Sequence, residues 1–270
     1  ILETAHLYAA AGLFGEAAEI AALAPGRFLA AVARAYWLAR TGDETAARDA
    51  LADAERLDTA FAFPFRPETL PILEWAHAHS PSWKPRYALA LLLRHFGSDD
   101  RARALLNETD ADDVPFLLFR ARLRGGPSAL ADIRKAQTFG ENRYAVKAEW
   151  RAHAEANDWR QALGAAQRLL AAHPEDNDAG ILLAQSHLRL GDPARCLETL
   201  DTVRFLPSEF TSITRRVYRE ACLAQAVAAF RKGDSAVTRD AVRRAGIWDE
   251  KLGVGKPYAS EIDMRLELWL

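Results

Sequence analysis

The residues with the most suggestive chemistry lie near the end of the chain, in the stretch WDEKLGVGKPY at 248–258. Two glycines followed by a lysine could cradle a phosphate, as the backbone amides and the lysine of a nucleotide-binding loop do. That motif also needs a serine or threonine after the lysine, to hold Mg²⁺. Here Pro257 follows Lys256 and has no N–H group to offer a phosphate. The first glycine of the motif would fall at position 250, which is Glu250. The sequence therefore does not predict a phosphate site here.

Histidine and cysteine, the usual ligands of zinc, are not spaced to share a metal ion. His77 and His79 form the closest pair among seven histidines, but residues two apart on a helix point to different sides. No HExxH or CxxC motif occurs. Cys196 and Cys222 fall inside alanine- and leucine-rich helical patterns, where a free thiol behaves as a small apolar side chain. We predict neither a metal site nor a cofactor.

Groups for nucleophilic or acid–base catalysis are equally scattered. Cys222 has no histidine base evident in the sequence, and no GxSxG motif is present. The candidate carboxylates could act in pairs only if the fold brought two of them together, and their spacing does not suggest it. These candidates are Glu19, Glu74, Glu209 and Glu220. We predict no catalytic residues and expect this stretch not to be an enzyme.

The composition and net charge argue against two classes of binding partner. The 270 residues carry 35 basic and 37 acidic side chains, for a net charge of −2. This balance predicts no nucleic-acid partner. Apolar runs such as 87–93 are far shorter than the roughly 20 residues that span a bilayer, so no membrane partner is predicted either. Because the chain starts at Ile1, we expect it to be a fragment of a larger protein.

The rest of the sequence supplies the elements that must position any site. Apolar residues recur at helical spacing, and short turns interrupt them, which predicts an all-α chain. A glycine or asparagine at each turn can take the left-handed conformation, and a following aspartate or serine can cap the next helix. A small residue five positions later would let two antiparallel helices approach closely. The turn residues and their small partners are Gly12 and Ala17, Gly42 and Ala47, Gly97 and Ala102, Gly126 and Ala131, Asn157 and Ala162, Gly191 and Cys196, and Gly233 and Thr238.

This pattern resembles the tetratricopeptide repeat, a helical hairpin with a period of about 34 residues. The best copies are 143–176 and 177–210. The resemblance implies a right-handed α-solenoid of about six to seven hairpins, forming one domain over residues 1–270. The long gap between Gly42 and Gly97 predicts an irregular insertion, which we place at 61–71. The segment 246–270 is expected to be a C-terminal cap.

The irregular parts carry a second resemblance. The stretches FAFPFRPETLPILEWA (61–76), WKPRYALALLL (83–93) and IDMRLELWL (262–270) are similar to the C-terminal repeat region of bacterial multidomain proteins. In those proteins a β-rich domain of unknown function, with a suspected sugar-binding fold, lies upstream. The resemblance implies an upstream domain of the same chain as a partner, and a carbohydrate reached through that domain.

In tetratricopeptide proteins the first helix of each hairpin lines a ligand-binding groove, and the resemblance carries its ligand-facing positions onto this chain. Arginine can bind a carboxylate in bidentate fashion, and tyrosine gives contact area at low entropic cost. An acidic peptide, a C-terminal carboxylate or a sugar face would suit such a groove. Alternatively, Tyr87, Phe116 and Tyr144 are core residues of degenerate repeats. The candidate groove residues are Tyr36, Lys84, Tyr87, Arg94, Arg120, Tyr144, Lys147, Arg151 and Gln185, with Val32 and Phe116 at further positions of the same frame.

The glycine–lysine stretch is better interpreted as part of the cap, because a solenoid exposes apolar surface at its ends. A second interpretation is docking on a neighbouring domain. The residues concerned are Trp248, Gly253, Gly255, Lys256 and Tyr258. The tryptophans at 75, 83, 150, 159 and 248 are interpreted as packing residues, with sugar stacking as the alternative.

Three functional hypotheses follow. The first is a non-catalytic scaffold for protein–protein or interdomain interaction, with a protein or peptide as partner. The second is an accessory helical region of a carbohydrate-active enzyme, packed on an upstream β-rich domain. The third is a periplasmic or extracellular assembly factor.

Overall fold

A computed structural model describes residues 1–140, 142–202 and 213–247. Within these residues the chain forms fifteen α-helices and one 3₁₀ helix, and no strand. None of the described helices has both the length and the apolar character needed to cross a bilayer. The helices are α1 Leu2–Ala10, α2 Phe14–Ala22, α3 Phe28–Arg40, α4 Glu44–Arg56, α5 Thr69–His79, α6 Trp83–His95, α7 Asp99–Asn107, α8 Val114–Arg124, the 3₁₀ helix Gly126–Ala129, α9 Leu130–Gln137, α10 Arg143–Glu155, α11 Trp159–Ala172, α12 Asn177–Arg189, α13 Pro193–Thr202, α14 Ile213–Arg231 and α15 Ser235–Gly246.

The turns form as the sequence predicts. All seven predicted turn residues have positive φ, including the non-glycine Asn157 at 58°. At Gly191 the N–H groups of residues 191 and 192 donate to the carbonyls of Leu188 at 3.0 Å and His187 at 2.9 Å, which is the Schellman arrangement. The carboxylate of Asp192 then accepts the N–H of Arg195 at 3.0 Å and caps α13. One dipeptide therefore ends one helix and starts the next.

The small residue after each turn is buried in most copies, with one correction. Five of these residues have no exposed surface: Ala17, Ala47, Ala102, Ala162 and Cys196. Thr238 is half-buried, and Ala131 is exposed, so the prediction for Ala131 is wrong. The 3₁₀ helix Gly126–Ala129 follows that turn and changes the register, so that Ala129 and Ile133 are buried instead.

Contacts divide the chain into two compact units, Ile1–Arg124 and Gly125–Leu270. In unit 1, three hairpins form from α1 and α2, α3 and α4, and α6 and α7, while α5 packs against both α3 and α6. Its core includes Trp37, Leu73 and Leu92, each at most 1% exposed. An irregular stretch separates α4 from α5 and contains the first part of the predicted insertion 61–71; helix α5 already begins at Thr69.

In unit 2, the hairpins are α10 with α11, α12 with α13, and α14 with α15, and each packs on the next. The two cysteines are free and buried in the core between α13 and α14, beside Leu197 and Tyr218. Burial raises the pKa of the Cys196 thiol to about 12. Both therefore act as small apolar side chains.

The prediction of an all-α helical-repeat fold is confirmed. The description of residues 1–270 as one domain stays a prediction. The cap residues Trp248, Gly253, Gly255, Lys256 and Tyr258 lie outside the described residues.

Candidate interaction surface

In unit 1 the predicted groove residue Lys84 stabilises the packing of two helices. The ammonium group of Lys84, near the start of α6, donates to the carbonyls of Glu55 at 2.7 Å and Leu57 at 2.5 Å. Both carbonyls lie at the C-terminal end of α4, where a positive charge also favours the helix dipole. Lys84 therefore ties α6 to the end of α4, and its donors are directed away from solvent.

The predicted groove residues Tyr87 and Phe116 lie in an aromatic core. Tyr87 is 8% exposed, Phe116 has no exposed surface, and their ring centroids are 6.0 Å apart. Trp83 and Phe119 complete the cluster, at 5.8 Å each from Tyr87. Burial, reinforced by the nearby charge of Asp113, raises the pKa of Tyr87 to about 12. These two rings occupy the positions that the core interpretation assigns them.

The two predicted arginines of unit 1 are also engaged. Arg120 is 7% exposed and donates to the Thr109 carbonyl at 2.6 Å and to the Asp110 carboxylate at 2.9 Å. Its guanidinium carbon lies 5.0 Å from the Phe116 ring centroid. Arg94 pairs with Asp99 at 2.6 Å. Arg120 holds the loop that leads into α8, and Arg94 closes the turn between α6 and α7.

Tyr36 is half-buried and belongs to a row of rings on the first half of unit 1. Its ring meets Trp75 edge-on at 5.9 Å, and Trp75 stacks on His79 at 4.8 Å. The Tyr36 hydroxyl accepts a hydrogen bond from Arg40 at 3.0 Å. This is the packing role that the sequence favours for Trp75.

In unit 2, the predicted groove residue Tyr144, near the start of α10, is 58% exposed. Arg143 donates to its hydroxyl at 3.1 Å, and the guanidinium carbon lies 5.0 Å from the ring centroid. The Lys147 ammonium group lies 5.9 Å from the centroid of the same ring. Tyr144 is thus held in place by cations but remains open to solvent, unlike Tyr87.

Lys147 connects two first helices of successive hairpins. Its ammonium group lies 2.9 Å from the Asp176 carboxylate and 2.8 Å from that of Asp178, at the start of α12. Burial works against both charges, but the hydrogen bonds outweigh it. The pKa of Lys147 is therefore raised and that of Asp176 lowered. A second link joins the same helices, from the Trp150 indole N–H to the Ser186 hydroxyl at 2.9 Å.

Two arginines of unit 2, Arg151 and Arg216, have no side-chain partner among the described residues. Arg151 is exposed and lies one helical turn beyond Lys147 on the same side of α10. Arg216, on α14, is also exposed and lines a cleft of about 300 Å³ with Gln185 of α12. Arg189 and Glu220 line the same cleft and pair at 3.4 Å.

We call the surface formed by Tyr144, Arg151, Gln185 and Arg216 the basic face. It crosses α10, α12 and α14, and it joins three predicted groove residues to one that the sequence did not indicate. Arg216 was missed because the turns at Gly191 and Gly233 lie 42 residues apart, eight more than the period of about 34, so the repeat frame gave no register for α14. The cleft that Arg216 shares with Gln185 shows which side of α14 belongs to the basic face.

A second cleft of unit 2, of about 550 Å³, lies between α10 and α11 and contains none of the predicted groove residues. Its central carboxylate, Glu149, accepts hydrogen bonds from Gln137 at 2.9 Å and Arg168 at 2.7 Å. This carboxylate is therefore already engaged by neighbouring side chains. No group of histidine, cysteine and acidic residues in the described part of the chain could hold a metal ion.

Comparison with known proteins gives a partial match. The family model described as "Anaphase-promoting complex, cyclosome, subunit 3", which is tetratricopeptide-like, matches residues 155–232, less than half of the chain. A solved tetratricopeptide repeat protein from Parabacteroides merdae ATCC 43184 covers 90% of this chain and 96% of its own length, with 13% identity and a TM-score of 0.48. No curated protein matches the sequence.

The matched segment 155–232 includes α11, α12 and α13, and it contains Gln185 and Arg216 of the basic face. The resemblance to tetratricopeptide-like repeats is thus supported for this part of the chain. The link to bacterial multidomain proteins and the carbohydrate-active hypothesis stay predictions from the sequence.

Proposed function

We propose that this chain is a non-catalytic helical-repeat scaffold that binds a protein segment through the basic face of unit 2. The observation that carries the proposal is a contrast between charged residues. Lys84, Arg94, Arg120 and Lys147 are engaged by carbonyls or carboxylates. Arg151 and Arg216 are exposed and lack such partners among the described residues.

The chemistry of the face favours an acidic, extended peptide. Exposed guanidinium groups can each take a carboxylate in bidentate geometry. The Gln185 amide can both donate and accept, so it suits a peptide backbone. Tyr144 offers a ring that is already oriented by Arg143 and costs little entropy to immobilise.

The expected affinity is modest. An exposed ion pair contributes only about 0.2–1 kcal/mol, and salt weakens it further. An aromatic anchor such as Tyr144 contributes more when a partner covers it, commonly above about 1 kcal/mol. Binding should therefore depend on several contacts together and should weaken clearly as salt is raised.

A peptide-display experiment tests this. A random-peptide library on phage is selected against the whole chain, and the enriched peptides are synthesised with a fluorescent label. Their affinities are then measured by anisotropy. We expect enrichment in aspartate and glutamate, and at least about tenfold weaker binding to the double variant Arg151→Glu, Arg216→Glu.

The matched control is Arg160→Glu, an exposed arginine on the second helix α11. It should bind the selected peptides within about twofold of the parent, because one exposed charge outside the basic face adds little. Peptides without acidic enrichment, or peptides that bind the double variant as tightly as the parent, would refute the basic face as the binding site.

A further inference from the structure

The irregular stretch between α4 and α5 exposes three phenylalanine rings. Phe61, Phe63 and Phe65 are 79%, 69% and 56% exposed, whereas Ala62 and Pro64 between them are buried. Alternate residues lie on opposite sides of an extended segment. The small side chains therefore face the protein and the large rings face solvent, which reverses the usual burial of large apolar residues. We call Phe61, Phe63 and Phe65 the phenylalanine strip.

The backbone that carries the strip is ordered by local hydrogen bonds. The Thr59 carbonyl accepts the N–H of Ala62 at 2.9 Å, and the Phe61 carbonyl accepts that of Phe63 at 3.1 Å. Phe61 has a φ of 61°, a left-handed conformation that bulky residues rarely adopt. Strain of this kind persists only where the surrounding structure fixes it, and it is common at functional sites. A strip that is already ordered loses little entropy when a partner covers it.

The exposed area of the strip matches what a protein interface needs. A phenylalanine side chain carries about 200 Å², so the exposed fractions of the three rings correspond to roughly 400 Å² of apolar surface. One side of a standard interface covers about 800 Å², of which roughly 450 Å² is apolar. The strip therefore supplies most of the apolar surface that one side of such an interface contains.

Helix α1 adds apolar surface at one end of the strip. Arg66, which directly follows the strip, forms an ion pair with Glu3 of α1. Leu7 lies one helical turn after Glu3, on the same side of α1, and is 72% exposed. The apolar surface of unit 1 therefore extends beyond the three rings.

Charge beside the strip favours an apolar partner over a strongly charged one. Residues 58–68 carry two acidic side chains, Asp58 and Glu68, and one basic side chain, Arg66. The guanidinium group of Arg66 is already paired with Glu3, and its carbon lies 5.5 Å from the Phe65 ring centroid. A second copy of the chain offers an apolar strip of equal size and the same small net charge.

We propose that the phenylalanine strip is a self-association surface, where two copies of the chain meet strip to strip about a two-fold axis. In an antiparallel arrangement Phe63 lies opposite Phe63 of the second copy, and Phe61 lies opposite Phe65. Each ring then has an aromatic neighbour, and the same surface serves both copies. The strip lies in unit 1, so the proposal does not depend on the basic face of unit 2.

The backbone of the strip favours a closed pair over a growing sheet. Pro64 has no N–H group, and the N–H of Phe63 already donates to the Phe61 carbonyl. The strip therefore offers few donors for the addition of further strands, as is usual for protected edges. Side chains hold the two copies together.

Sedimentation velocity of the whole chain, from about 1 to 100 µM, tests the proposal. Interfaces of this size commonly give dissociation constants of about 1 µM or below, so we expect a dimer to predominate at 100 µM. Phe63→Asp should weaken the dimer at least about tenfold, because it places two carboxylates opposite each other. Its Tm should stay within about 3 °C of the parent, since the ring faces solvent.

The matched control is Phe230→Asp, which changes a 74% exposed phenylalanine of unit 2 in the same way. It should leave the dissociation constant within about twofold of the parent. A parent chain that stays monomeric at 100 µM would overturn the proposal and leave the strip to a different partner. A dimer that Phe63→Asp does not weaken, or that Phe230→Asp weakens equally, would also overturn it.

Photo-cross-linking tests the two-fold arrangement. Phe63 is replaced by p-benzoylphenylalanine, and unlabelled and isotope-labelled chains are mixed before irradiation and mass spectrometry. We expect cross-links between a labelled and an unlabelled peptide, both of which contain residues from 58–68. Cross-links that join two copies through any other region, or that form only within one chain, would refute the contact between strips.

Discussion

The link between α10 and α12 through Lys147 gives a stability prediction that can be worked out from the structure. Replacing Lys147 by methionine keeps the aliphatic stem and removes the ammonium group. The Asp176 carboxylate, whose side chain is 5% exposed, would then keep its backbone hydrogen bonds, from the N–H of Asp178 at 3.0 Å and from that of Ala179. The carboxylate of Asp178 is 65% exposed and can turn to water.

The two interactions differ in expected size. A hydrogen bond between charged groups at a largely buried site contributes about 1.5–3 kcal/mol. The exposed pair with Asp178 contributes about 0.2–1 kcal/mol. We therefore expect Lys147→Met to lower the free energy of unfolding of unit 2 by about 2 kcal/mol at pH 7. For a unit of this size, this corresponds to a decrease in Tm of about 4–8 °C.

The effect should depend on pH in a defined way. The pKa of Asp176 is lowered in the folded state, so its contribution is present above its unfolded value near 3.9 and is lost as pH falls through the folded value. The pKa of Lys147 is raised, so its contribution is present below about 10.4 and is lost as pH rises through the folded value. The difference between parent and variant should be constant from about pH 5 to 9 and shrink outside that window.

Urea unfolding followed by circular dichroism measures the difference, and the exposed Lys232→Met is the matched control, expected within about 0.5 kcal/mol of the parent. A double-mutant cycle with Asp176→Asn isolates the pair. A coupling energy below about 0.5 kcal/mol, or a Lys147→Met effect that persists undiminished at pH 3, would refute the assigned role.

Three further predictions concern other parts of the chain. Gly191→Ala should destabilise unit 2 by about 1 kcal/mol in urea unfolding, because φ is +80° there although the added methyl group meets nothing within 4 Å. Asn157→Gly should instead leave stability unchanged or raise it slightly, since Asn157 already adopts φ of 58°; equal losses at both sites would contradict the turn assignment. In unit 1, the pKa of Tyr87 near 12 exceeds its unfolded value near 10, so its contribution is full below pH 10 and is lost as pH rises through 12. Comparing parent and Tyr87→Phe by urea unfolding from pH 8 to 11 should show the parent losing more stability above pH 10, and parallel curves would contradict burial of the hydroxyl.

The turns were predictable because their chemistry is local. Gly191 and Asp192 specify a helix end and a helix start within a few residues, and the same dipeptide logic holds at Gly42 and Gly233. Ala131 broke the rule because a 3₁₀ turn shifted the register, and Pro127 next to the glycine was the available signal.

The binding residues were less predictable because their partners are distant in sequence. Nothing near Lys84 indicates that the carbonyls of Glu55 and Leu57 will take its donors. The repeat frame also treated Tyr87 and Tyr144 alike. Only the packing of Trp83 and Phe119 around the former, and the solvent beside the latter, separates a core ring from an exposed one.

The turn at Gly191, whose hydrogen bonds are all local, also affects how the number of repeats in such a chain can change. At Gly191, the turn pairs backbone groups from the end of α12 and from the start of α13. Each of these groups has its partner within five residues along the chain. Duplicating or excising a whole hairpin would therefore leave the remaining junctions chemically complete. The number of hairpins can therefore change during evolution at little cost in stability at the turns. Side-chain links such as that from Lys147 to Asp176, in contrast, need complementary residues at each new boundary between hairpins.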